Sequence, residues 1–266
     1  MNQALSIVTG SSRGLGLALV EQLLARGHRV LALSRSDTVL SLRSDTVLSP
    51  RSDTVLPAPA HTDLLCWNVD LADPVPVASR LTAWLAMQDP AALTAATLIN
   101  NAGVVSRPGP LSASDPAALS NALRVGLEAP MVLSAAFLRA TEAWGLPRKL
   151  LLISSGLGRR AMAGSASYCA AKAGMDHLAR ALALEEAAKP NGARVVSLAP
   201  GVIDTDMQVQ LRTADPALFP ERERFQALKD QGQLDSPAQA AAKVLAVLDR
   251  ADFGSVPVTD VRELAP

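Results

Sequence analysis

The chain has 266 residues, enough for one substantial α/β core, and it is 49% apolar but only 3% aromatic. A core made from it must rest on Ala, Leu and Val. Acids and bases balance at 25 each, which argues against a nucleic-acid or anionic-membrane surface as the main business.

The opening residues MNQALSIVTG lack the basic and long apolar regions of a secretory signal, and no later apolar run reaches membrane-spanning length. Cys66 and Cys169 are too few for a disulfide framework, and neither they nor His28, His61 and His177 have metal-ligand spacing. No metal site is expected, and the expected location is the cytoplasm.

In chain order, LSIVTG (5–10) predicts a buried strand, and GLALVEQLLARG a helix closed by Gly27. RVLALS (29–34) and LLCWNVD (64–70) are the next strands, followed by a helix over VASRLTAWLAMQ. ATLINNAG (96–103) precedes one long helix from Asp115 to Trp144, with Asp115-Pro116 as cap and first turn. KLLLISS (149–155), a helix from Tyr168 to Ala188, ARVVSLAPG (193–201), a helix over SPAQAAAKVLAVLDR and a short strand near SVPVTD (255–260) complete the series. Seven strands alternating with helices predict an α/β, single-domain, doubly wound and mostly parallel sheet of Rossmann type over 1–266. Ligands of such a sheet bind beyond the carboxyl ends of the strands, where TGSSRGLG, SR, NVD, NNAG, ISS and APG fall.

TGSSRGLG carries Gly10, Gly14 and Gly16 between a strand and a helix. Glycines there let a pyrophosphate approach the helix N-terminus, where free N–H groups favour anions. The spacing is Gly-x-x-x-Gly-x-Gly. With NNAG at 100–103, Tyr168-x-x-x-Lys172 and Pro200-Gly201, in that order over almost the whole chain, the sequence resembles the short-chain dehydrogenase/reductase family. The resemblance implies a nicotinamide cofactor held by Gly10, Ser12, Arg13, Gly14, Leu15 and Gly16. Asp70 and Leu71 would meet the adenine, and Asn101, Ala102 and Gly103 the adenosine ribose. Pro200, Gly201, Ile203 and Thr205 would hold the nicotinamide end.

An acid at the end of the second strand would favour NAD. Here Ser34-Arg35 stands there and Arg13 lies in the glycine loop, so two guanidiniums can meet a 2′-phosphate. NADP(H) is the expected cofactor.

Tyr168 and Lys172 are four residues apart and share a helix face. Carbonyl reduction needs a proton for the nascent alkoxide, and a neighbouring ammonium is expected to lower the tyrosine pKa toward neutrality. The family spacing selects Ser155, thirteen residues earlier, as donor to the substrate carbonyl. Lys172 would also bond the nicotinamide ribose. The family usually has an asparagine where this chain has Gly126. Because Pro130 has no N–H to give, the Gly126 carbonyl is expected to be free to bind the water that links the lysine to solvent.

ISSGLGRRAMAGSASYCAAKAG, SLAPGVIDTDMQ and the ending VTDVRE are similar to the sepiapterin reductase and benzil reductase branch. That branch implies reduction of a small ketone, diketone or pterin side chain, with Asp260 as substrate anchor. Residues 204–232 would form the substrate lid, with Glu221 to Arg224 an exposed helical face. Leu157, Met162, Ala163 and Met207 would line an apolar pocket. A homodimer or homotetramer through the two long helices is also implied. The competing readings are a non-catalytic NADP(H)-sensing module, which usually loses the Tyr/Lys pair kept here, and a 3-oxoacyl-carrier-protein reductase.

One feature is not absorbed by the family pattern. RSDTVL recurs from Arg35, Arg43 and Arg51 in a register of eight. Eight matches neither the helix nor the strand period, and the unit is too short to build a core. Residues 36–57 therefore read as a tandem duplication in a surface loop, where added length costs little.

Overall fold

The computed structural model describes residues 2–36 and 63–263. Most of the RSDTVL repeat, with Arg43 and Arg51, lies outside the described residues. Seven strands form one sheet: β1 (Gln3–Thr9), β2 (Arg29–Ser34), β3 (Leu64–Asn68), β4 (Leu93–Asn100), β5 (Arg148–Ile153), β6 (Arg194–Ala199) and β7 (Val258–Asp260). Their spatial order is β3-β2-β1-β4-β5-β6-β7 and every neighbouring pair is parallel. The chain reverses its winding direction between β1 and β4, the place where such sheets open a crevice for ligands.

Successive strand residues point to opposite faces, so both faces must be apolar to be covered. Ile7, Leu31, Leu98, Leu150 and Leu152 meet α2 (Pro74–Ala86), α4 (Ala129–Ala140) and α5 (Ala166–Ala187). Their alternates Val8, Ala32, Ile99, Leu151 and Leu198 meet α1 (Gly14–Ala25) and α8 (Pro237–Leu248). The predicted caps at Gly27 and Asp115 hold, and a further one opens α8. Gly27 has φ of 76°, Asp115 accepts from the Ala117 and Ala118 amides, and Ser236 forms a capping box with Gln239.

The long helix expected over 115–144 departs from the expectation. It runs as α3 (Pro116–Leu123), then a π turn over Arg124–Glu128, then α4, ending at Ala140. Pro130 cannot donate in the helical ladder, and the wider turn accommodates that loss. Gly126 sits in the π turn, buried; a Cβ there would lie 3.1 Å from the Cβ of Ala171 on α5. A mid-helix glycine costs about 1 kcal/mol relative to alanine, and the close approach of α5 is its reason here.

After β6, α6 (Asp206–Arg212) and α7 (Arg222–Asp230) cover a small separate apolar cluster of Leu157, Met162, Leu211, Phe219 and Phe225. The two phenylalanine rings stack at 5.9 Å. No described helix is long and apolar enough to cross a membrane.

Candidate active site

β1 delivers the glycine loop. Gly10 and Gly14 have φ of 68° and 55°, which disfavour any side chain. A Cβ on Gly16 would stand 2.1 Å from the Gly10 carbonyl oxygen, and one on Gly10 2.9 Å from the Ala102 Cα. The loop is thus pressed against the end of β4. Thr9 and Asn101 clamp it: Thr9 Oγ1 accepts from the Asn101 and Ala102 amides, at 3.0 and 2.9 Å. The Asn101 side chain donates back to the carbonyls of Thr9 and Gly10, at 2.9 and 3.2 Å. Asn101 therefore builds the cradle as well as lining it, and Thr9, which the sequence did not single out, is its partner. α1 starts beyond the loop with no acid in its first turn and no capping side chain. Its free N–H groups and dipole suit an anion, so the residues present fit the pyrophosphate of a dinucleotide.

Arg35 follows β2 at the cleft rim and has no ion-pair partner among the described residues. Arg13 also lines the cleft, but its guanidinium donates to Asp206 on α6 at 2.7 Å, both side chains being largely exposed. Both expected guanidiniums thus reach the cleft, Arg13 paired with Asp206 and Arg35 without an ion-pair partner among the described residues. Asp70 accepts from the Ala72 amide, shaping the turn after β3.

The end of β5 and the first turns of α5 bring Ser155, Tyr168 and Lys172 together. The Ser155 hydroxyl accepts from the Leu157 amide at 3.2 Å and bonds the Tyr168 side chain. Lys172 Nζ lies 5.6 Å from the Tyr168 ring centre and donates to the Ile153 carbonyl at 2.7 Å. Burial pushes the tyrosine pKa up to about 12, against the Ser155 hydrogen bond. Burial also pulls Lys172 down to about 8, against the charge of Asp176. The expected lowering of the Tyr168 pKa is therefore reversed in the protein alone. Desolvation of the phenolate outweighs the Ser155 hydrogen bond, which acts the other way.

Beneath Lys172, buried Asp176 accepts from the Ser197 hydroxyl at 2.7 Å and faces Arg159 Nε at 3.5 Å. Arg159 continues to the Thr259 carbonyl (2.7 Å) and to Asp260 (3.7 Å). Neither Asp176 nor Arg159 was singled out by the sequence, because only the fold brings α5, β6 and β7 side by side.

A cleft of about 1190 Å³ joins these parts. It is lined by all the residues expected to hold the cofactor, from Gly10 to Thr205, and by Ser155, Leu157, Met162 and Met207. Ala163 is exposed and outside the lining. Asp260 is outside it too. It is buried and bound through both carboxyl oxygens to Arg262, at 2.8 and 2.6 Å. Burial works against its ionisation, but the Arg262 hydrogen bonds outweigh that and hold the carboxyl below the usual range. The residue expected to anchor the substrate is thus held by Arg262 and Arg159 in this structure. Arg224, expected on an outward face, reaches the lining. Ser154, Ser165 and Gln208 add buried lining atoms with no hydrogen-bond partner among the described residues. A buried polar atom of this kind costs about 1–3 kcal/mol unless a ligand satisfies it.

A parallel seven-stranded sheet, a glycine loop at its switch point and a Ser/Tyr/Lys cluster at one cleft define a nicotinamide-dependent oxidoreductase of Rossmann type. The short chain dehydrogenase family model matches residues 5–216, and the chain belongs to that family. It is 30% identical over 247 residues to a benzil reductase ((S)-benzoin forming) of Bacillus cereus, covering 93% of this chain and 94% of that one. With the sepiapterin reductase of Meriones unguiculatus it shares 34% identity over 260 residues, 95% and 94% of the two chains. Among solved structures, a putative NAD(P) dependent gluconate 5-dehydrogenase from Beutenbergia cavernae with bound NADP superposes with a TM-score of 0.77. The two are 26% identical, over 98% of this chain and 96% of that one. The homologues make this chain an oxidoreductase of the carbonyl-reductase kind.

Proposed function

We propose that the protein is an NADPH-dependent reductase of small ketones or diketones, with Tyr168 as proton donor. What supports this reading is the meeting of Ser155, Tyr168 and Lys172 at one cleft, with Lys172 Nζ 5.6 Å from the Tyr168 ring centre and the phenol's pKa raised by burial. The bound cofactor would supply the hydride. Ser155 Oγ polarises the substrate carbonyl by donating to its oxygen. Tyr168 gives its proton to that oxygen as charge develops there, which its raised pKa permits because the phenol is fully protonated near neutrality. Lys172 stabilises the phenolate left behind. Arg35 favours the 2′-phosphate of NADPH over the bare ribose of NADH. The benzil and sepiapterin reductases among the homologues support an aryl ketone or diketone, and Leu157, Met162 and Phe225 offer it an apolar floor.

Loss of absorbance at 340 nm with NADPH and benzil tests the reading. Wild type should turn over, and Tyr168→Phe should lose about 10²–10⁴ in kcat while binding NADPH as before. Turnover unaffected by Tyr168→Phe would overturn it.

A further inference from the structure

The substrate end of the cleft carries an excess of positive charge that carbonyl reduction does not need. Two of the carboxylates in the lining are neutralised: Asp206 by Arg13, and Asp204 by Lys229 and Arg212. The third, Asp70, stands after β3 at the adenosine end. Three arginines of the lining lie at the other end. Arg262 places its Nη2 3.8 Å from where a Cβ on Gly156 would be, beside Ser155. Arg160 closes the turn that starts at Ser155, its amide bonded to the Gly156 carbonyl at 3.2 Å. Arg224 precedes Phe225, whose ring packs with Leu157 and Met162.

The charges do not cancel. Lys172, Arg159 and Arg262 are matched by Asp176, Asp260 and the exposed Glu263, three acids for three bases, so the excess rests on the arginines beyond them. Arg160 has no ion-pair partner among the described residues, and Arg224 has only Glu221, at 3.5 Å on an exposed face. Cations at the rim of an apolar, partly desolvated cleft raise the local concentration of anions and hold a carboxylate by charge-assisted hydrogen bonds.

We propose that the substrate is an oxo acid, its apolar body lying against Leu157, Met162 and Phe225 and its carboxylate held by Arg160 and Arg224. This rests on the carbonyl-reductase reading. The reaction keeps its balance: the ketone takes up one hydride and one proton, and the carboxylate is unchanged.

The test compares matched acids and neutral esters: benzoylformate with methyl benzoylformate, and 4-acetylbenzoate with its methyl ester. Intrinsic reactivity cancels when the acid/ester ratio of kcat/KM is compared between wild type and variants. In Arg160→Gln/Arg224→Gln the ratio should fall about ten-fold or more in at least one pair, the size of one lost charge-assisted hydrogen bond. The loss should sit in KM, and each single variant should show part of it. Added salt should weaken acids but not esters in wild type. Arg180→Gln, an exposed change outside the cleft, controls for net charge. An unchanged ratio in both pairs overturns the proposal, as does a preference that appears only when the ketone is borne by an acidic carrier protein. If the esters are reduced and the acids show no arginine dependence, the reductase reading survives alone. If neither esters, acids nor benzil consume NADPH, both fall.

Discussion

The Lys172 ammonium donates to the Ile153 carbonyl at 2.7 Å, so a single buried charge ties α5 to β5 two residues before Ser155. The bond sets the distance between the helix that carries Tyr168 and the strand that carries Ser155.

That charge has a measurable cost. Burial takes Lys172 from its ordinary 10.5 to about 8. Between those values the unfolded chain binds more protons than the folded one, so Lys172 makes stability rise with pH. The difference in unfolding free energy between wild type and Lys172→Met should grow in favour of wild type from about pH 8 to 10.5, by about 3 kcal/mol. Urea unfolding across that range measures it. A flat difference would mean that Lys172 keeps its ordinary pKa in the folded protein and stays protonated across that range.

Gly126→Asn restores the residue usual in the family but brings a Cβ to 3.1 Å from Ala171. Overpacking of this kind costs about 1–3 kcal/mol. The melting temperature should fall and kcat should not rise. A sharp gain in turnover would show that the Gly126 carbonyl does not take over the asparagine's role.

Arg35→Ala should raise the KM for NADPH about ten-fold or more, the loss of one charge-assisted bond, and leave NADH within about two-fold. Arg13→Ala should do less, because Arg13 is already paired with Asp206. Steady-state kinetics with both cofactors separates the two residues.

Asp260→Asn should act on stability. It breaks a carboxylate held by Arg262 and Arg159 and should cost about 2 kcal/mol at neutral pH. Because the folded carboxyl titrates below its usual value, the stability it supplies is present above the unfolded carboxylate range near pH 4 and fades as pH falls through the folded value. The gap between wild type and variant should therefore close in acid, as thermal unfolding between pH 6 and 3 would reveal.

Much of the fold was legible because both faces of the sheet are covered. Continuous runs such as RVLALS and KLLLISS can hardly be anything but buried parallel strands, and RVLALS matches β2 residue for residue. Gly10, Ser155, Tyr168 and Lys172 were legible because their spacing along the chain is the spacing of the chemistry. The π turn was not, since its cause, a missing N–H at Pro130, reads equally well as a freed carbonyl in an ordinary helix. The partners of Asp260 were hidden for a related reason: a strand-end acid in sequence gives no sign that Arg159, a hundred residues away, and Arg262 will bind its oxygens. The direction of the Tyr168 pKa shift was not legible, because it depends on how much water the fold removes.

The clamp between Thr9 and Asn101 spans 92 positions of chain. The phosphate cradle therefore cannot assemble from its own local sequence; it comes into being only when β4 has docked beside β1. Contacts of such high sequence separation are slow to form. A nascent chain released before residue 101 would carry every glycine of the loop and no affinity for a dinucleotide. Once the pair has closed, any ligand of the loop must favour the folded ensemble alone, so the cofactor should act as a late brace on folding and a sensitive reporter of its completion.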